Sequence, residues 1–94
     1  HKTIAGVGFE LYQNQPNPFL TKTVIGFHLP EAADVKLTIF DETGRTLMTK
    51  NGNYAKGYNR ILFDSEKIEA TASLLYYRIE TANFNSTRKM VKTK

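Results

Sequence analysis

A chain of 94 residues with formal net charge +4 and no cysteine suits one domain with a thin core and excludes disulfide frameworks, thiolate nucleophiles and thiolate metal sites. Nine Lys/Arg balance nine Asp/Glu from His1 to Thr87, and the whole excess lies in Arg88, Lys89, Lys92 and Lys94. A neutral body argues against nucleic acid as a partner, because that needs a basic face spread over the fold.

The opening, HKTIAGVGFE, lacks the long apolar core of a signal peptide and holds no initiating Met, so it reads as the start of an excised piece of a longer chain. His1 reads as a tag or protease-site remnant. Residues 1–10 are expected to be a linker and processing region, flexible at Gly6 and Gly8, and the domain is expected to span 11–94. In LYQNQPNPF, Leu11 to Phe19, each proline fixes its own φ near −65° and biases the preceding residue towards extended geometry. This predicts a kinked first edge strand, blunted by its prolines, with Phe19 plugging the end of the fold.

Two alternating segments follow. TKTVIGFHL sets Thr23, Ile25, Phe27 and Leu29 on one face against Val24, Gly26 and His28, and DVKLTIFD sets Val35, Leu37 and Ile39 against Lys36, Thr38 and Phe40; both are half-buried strand patterns. DETG, Asp41 to Gly44, has Asp at a turn start and Gly where φ > 0 is needed, and RTLMTK supplies the returning strand. NGN at 51–53 and KGYN at 56–59 are further turn signals ahead of RILFD. EKIEATAS can hold a single helical turn. SLLYYRIET is the strongest strand, ANFNS turns the chain, and TRKMVKTK is the last strand.

These short, evenly spaced strands predict an all-β fold, an antiparallel two-sheet immunoglobulin-like sandwich of about seven strands with Greek-key links. Its expected core is Ile25, Phe27, Leu29, Val35, Leu37, Ile39, Ile61, Phe63, Leu75, Tyr77 and Ile79.

Chemistry-bearing residues are sparse. His28, the only internal histidine, has no acid or nucleophile at informative spacing. Asp64, Glu66 and Glu69 lack the glycine and ligand density of a calcium loop. NST at 85–87 matches a short glycosylation pattern that is common by chance. Phe40, Tyr54, Tyr58 and Tyr76 on outer faces would suit sugar stacking or simple sheet capping. With no nucleophile–base pair, phosphate loop or cofactor fingerprint, the expectation is a non-catalytic domain without cofactor or metal. The basic end reads either as a solvated edge strand or as a recognition element, and Met90 and Val91 between its cations favour the second.

Taken in order, LYQNQPNPF, TKTVIGFHLPEAADVKLTIFDETGR, GYNRILFD, LLYYRIET and RKMVKTK resemble the C-terminal sorting domain of the type IX secretion system, in its type A form. The likeness runs from about Leu11 to Lys94. The family's opening box corresponds to Gln15, Pro16, Asn17, Pro18 and Phe19, its Asp-x-x-Gly turn to Asp41 and Gly44, and its Lys-rich close to Lys89, Met90, Val91 and Lys92. Ser73 stands where the family usually has Gly.

The resemblance implies a non-catalytic secretion signal at the end of a larger cargo protein of a Gram-negative bacterium, the cargo lying N-terminal to this chain. Implied partners are the outer-membrane translocon and a surface cysteine protease that removes the domain. The implied location is the periplasm in transit, then the cell surface or medium. Arg88, Lys89, Met90, Val91, Lys92 and Lys94 would be the translocon's recognition element. The alternatives are an accessory carbohydrate-binding sandwich and a structural immunoglobulin-like spacer similar to that of flagellar hook-capping proteins.

Overall fold

A computed structural model of the chain describes residues 8–67 and 73–93. Seven strands follow in order: β1 (Glu10–Leu11), β2 (Lys22–Leu29), β3 (Ala33–Asp41), β4 (Thr46–Tyr54), β5 (Gly57–Asp64), β6 (Leu74–Glu80) and β7 (Asn85–Val91), with a 3₁₀ turn over Ser65–Lys67. They form two antiparallel sheets, ordered β1-β2-β5 and β4-β3-β6-β7. The β3–β4 and β6–β7 links are hairpins, while β2–β3, β4–β5 and β5–β6 pass between sheets. This is an immunoglobulin-like sandwich with its fourth strand paired to the third.

Period-two alternation places the core between the sheets. Every residue expected in the core is buried, and Leu11, Phe19 and Met90 complete the cluster. Phe19 packs edge-on against Phe63 with centroids 6.0 Å apart. Thr38 departs from the alternation, being buried although its neighbours Val35, Leu37 and Ile39 define the opposite, inward face. It pairs across the sheet with Thr49 and Arg78. The Arg78 guanidinium lies 5.3 Å from the Phe40 ring, and Phe40 stacks on Tyr76 at 5.5 Å, so long side chains roof this part of the outer face.

The Asp41–Gly44 turn forms where expected. Asp41 Oδ1 accepts from Thr43 N (3.0 Å), Thr43 Oγ1 (2.6 Å) and Arg45 N (3.0 Å). Gly44 N donates to Asp41 O at 2.9 Å, and Gly44 takes φ +91°. The Thr43 hydroxyl bond is the chief cause that holds the Asp41 carboxyl below its ordinary value, aided by the Arg45 and Thr43 amides.

Two expected turns lie elsewhere. Asn51, Gly52 and Asn53 do not turn but continue β4, pairing with Lys36, Val35 and Asp34. The nine-residue β3 offers a full ladder, and Asn53 Nδ2 donates to Asp34 Oδ1 at 2.9 Å, which outweighs the local preference for a turn. The chain reverses instead at Ala55 and Lys56. Gly57, at φ +103°, opens β5, so Tyr58 and Asn59 of the expected KGYN turn are strand residues. Asn59 reaches back from the strand, its Nδ2 donating to Ala55 O at 2.8 Å.

The opening of the chain also differs. The edge strand is Glu10–Leu11, ahead of the prolines, and the box beyond it makes only one bridge to β2, Gln15 with Val24. Both Gln15–Pro16 and Asn17–Pro18 peptide bonds are cis. Gly8, Phe9 and Glu10, which fall in the expected linker, are packed on the sandwich: Phe9 stacks on Phe84 at 5.2 Å. Residues 1–7, Glu69 and Lys94 lie outside the described residues, as does most of the segment expected to hold a helical turn.

Candidate functional site

Beyond Tyr12 and Gln15, which bond Gly26 and Val24 of β2, the segment to Phe19 cannot continue that ladder, because Pro16 and Pro18 lack an N–H. Buried polar groups hold the segment instead. Asn14 is fully buried; its N–H donates to Tyr77 Oη at 2.9 Å, and its Nδ2 donates to Thr23 Oγ1 and Pro16 O, each at 3.0 Å. Tyr77 Oη donates in turn to Tyr12 O at 2.7 Å. Burial pushes the Tyr77 phenol up to about 12, against the opposing influence of the Asn14 amide and the Arg88 charge. Polar groups this deep require partners, and each of these has them.

From there the segment runs beside β7, in the same direction. Arg88 Nε donates to Leu11 O (2.6 Å), and Gln13 Nε2 donates to Lys89 O (2.7 Å). Further along, Val91 N donates to Asn17 Oδ1 at 2.9 Å. Phe19 then bridges Lys92 in parallel, with Phe19 N on Val91 O at 2.9 Å and Thr93 N on Phe19 O at 2.7 Å. The proline box and the Lys-rich strand, whose linked residues Asn17 and Val91 are 74 positions apart, therefore make one surface. Sequence reasoning had named both blocks but not their contact. The polar residues that fasten them, Gln13 and Asn17, stand in the short run around prolines that can donate nothing, which is the available signal.

Within β7 the residues of the basic end differ sharply. Met90 is fully buried, opposite Leu75, so its apolar character serves the core. Lys89 and Arg88 are exposed, while Val91 and Lys92 are half-buried. Between residues 85 and 93 there are three cations and no carboxylate, and residues 11–21 carry no charge, so these two segments themselves contribute cations only.

The other candidates are accounted for locally. His28 Nδ1 meets Gly8 O at 2.6 Å, which requires the Nδ1–H tautomer and ties down the chain start. Asp64 Oδ1 accepts from Glu66 N at 3.0 Å and caps the 3₁₀ turn. Among the described residues no group of three or more His, Cys, Asp or Glu is placed to hold a metal ion. Tyr54 packs edge-on against the core residue Phe27, 5.3 Å away.

A shallow groove of about 570 Å³ on the three-stranded sheet is lined by Tyr12, Gln13, Gln15, Tyr58 and Arg60. Its rings are 5.9 Å apart and tilted by 41°, so they form no common plane for a sugar. The Gln13 amide is committed to Asn14 and Lys89. A Cβ on Gly26 would come within 2.6 Å of Tyr58 Oη: Tyr58 covers bare glycine backbone, a packing role.

Comparison with protein-family models finds none that matches the chain, and no curated protein matches it.

Proposed function

We propose that this chain is a non-catalytic C-terminal sorting domain of the type IX secretion system. It directs a cargo joined to its N-terminal side across the outer membrane and is then removed by proteolysis. The resemblance of five ordered sequence blocks is the basis of this reading. The observation that carries it is the meeting of the first block with the last: Phe19 bridges Lys92, and Asn17 holds Val91. Motifs at opposite ends of a sequence have reason to be built into one surface when one partner reads them together. The inner face of β7 supplies the core, and its outer residues remain available.

Export of a reporter bearing this chain at its C-terminus, in a host with the secretion system, tests the reading. Replacing Lys89, Lys92 and Lys94 by Gln should leave the reporter in the periplasm. Arg88 is left intact because its Nε bonds Leu11 O, so its loss would disturb the fold as well as the charge. Periplasmic retention of the reporter bearing the unaltered chain would refute the reading and favour a structural spacer; normal export of the neutralised chain would refute the role of the lysines.

A further inference from the structure

We propose that the partner reads side chains on a composite surface, with Pro18 and Leu20 as its apolar centre and Lys89 and Lys92 as its cationic flank, and does not add a strand to β7. This rests on the sorting reading above and specifies the recognised surface.

An exposed sheet edge is the usual template for peptide recognition by strand addition. Here the outward edge of β7 is occupied where the Lys-rich motif lies: Lys89 O receives Gln13, Val91 N donates to Asn17, Val91 O receives Phe19, and Thr93 N donates to Phe19 O. A partner strand would have to displace these contacts together with the buried Asn14 and Tyr77 bonds that anchor the same segment. Side chains are what the surface offers.

Leu20 is 58% exposed, among the few large apolar side chains left open to solvent in the described chain. It follows Phe19 directly, which places it beside Lys92 and Thr93. Pro16 and Pro18 are exposed in the same loop. An apolar centre with a cationic flank, on a surface carrying no carboxylate between residues 11–21 or 85–93, fits a protein surface with an apolar hollow edged by acidic residues. Asn17 is the positioning residue: its Oδ1 fixes the loop to Val91 N–H and sets the centre against the flank.

Reporter fusions carrying Leu20→Ser, Asn17→Ala, Asn17→Asp, or the pair Lys89→Gln and Lys92→Gln test this in a host with the secretion system. Circular dichroism and urea midpoints confirm folding of each purified chain. Leu20→Ser should cut export about tenfold or more, the scale of losing an interface anchor, at an unchanged urea midpoint. Asn17→Ala should do likewise and speed hydrogen exchange at Val91 N–H. Asn17→Asp, which keeps an acceptor oxygen but sets a carboxylate against the acidic rim of the partner, should restore protection while export stays low. Wild-type export of Leu20→Ser, with the lysine pair still blocking, would overturn the composite surface and leave a sorting signal read from the tail alone. Loss of export in Asn17→Ala with Val91 N–H still fully protected would overturn the positioning role. If the reporter with the unaltered chain stays in the periplasm, the sorting reading falls and this proposal with it; normal export of every variant, the lysine pair included, overturns the composite surface alone.

Discussion

Tyr77 illustrates how one atom can decide a segment's position. Its ring fills the core while its hydroxyl donates to Tyr12 O and accepts from Asn14 N. Tyr77→Phe keeps the ring and strands two backbone groups, so it should destabilise the fold by about 1–3 kcal/mol, read from urea denaturation. The same hydroxyl predicts a pH dependence. The unfolded chain releases this proton near 10.0, the folded chain at about 12. The associated stability is complete below pH 10 and is lost as pH rises towards 12. Tyr12, raised chiefly by burial and then by Glu10, acts in the same sense, so Tyr77→Phe should show a smaller alkaline loss than the parent chain. At Gly44 the cost is conformational only: a Cβ would meet nothing within 4 Å, but φ is +91°. Gly44→Ala should therefore cost about 1–2 kcal/mol, measured the same way.

Among the elements, β7 carries two roles on alternate residues. Met90 is fully buried, and Met90→Ala should cost about 2–5 kcal/mol. Lys89→Gln, one position away and exposed, should change stability by about 0.5 kcal/mol or less. Thermal or urea denaturation of the two single variants checks the contrast. Strand faces were legible in the sequence because period-two alternation reports burial directly: Val35, Leu37 and Ile39 could face only one way. The end of β4 was not, because Asn51, Gly52 and Asn53 prefer turns by themselves and become strand only through the ladder with β3. Nor was the contact between Asn17 and Val91 legible, since nothing local to either residue records a partner so far along the chain. Met90 shows the same limit in reverse. Its place among cations suggested recognition, whereas its partner Leu75 draws it into the core.

At the scale of the whole molecule, the fold sets the start of the described chain far from its last strand's end. Gly8 lies against Pro30 and Phe9 against Phe84, beside the β2–β3 and β6–β7 links, while Phe19, Lys92 and Thr93 gather at the opposite end. At a rise of about 3.3 Å per residue from Phe84 to Thr93, the two ends are separated by roughly 30 Å. A cargo joined before residue 8 should therefore leave the box and the basic end unobstructed. Fused to an unrelated folded periplasmic protein, this chain should direct it to the surface or medium; retention in the periplasm, with native cargo exported, would contradict that expectation.

The parallel course of residues 11–19 along β7 also has a mechanical consequence. Tension applied between the start of the chain and Thr93 pulls these neighbours in opposite directions along their shared axis. The bonds from Leu11, Gln13, Asn17 and Phe19 to β7 are then loaded in shear, all at once, and cannot open one after another as in a zipper. Pulling the molecule by these two points in a single-molecule experiment should meet a higher unfolding force than pulling the β6–β7 hairpin apart, and Asn17→Ala should lower the first force while leaving the second unchanged.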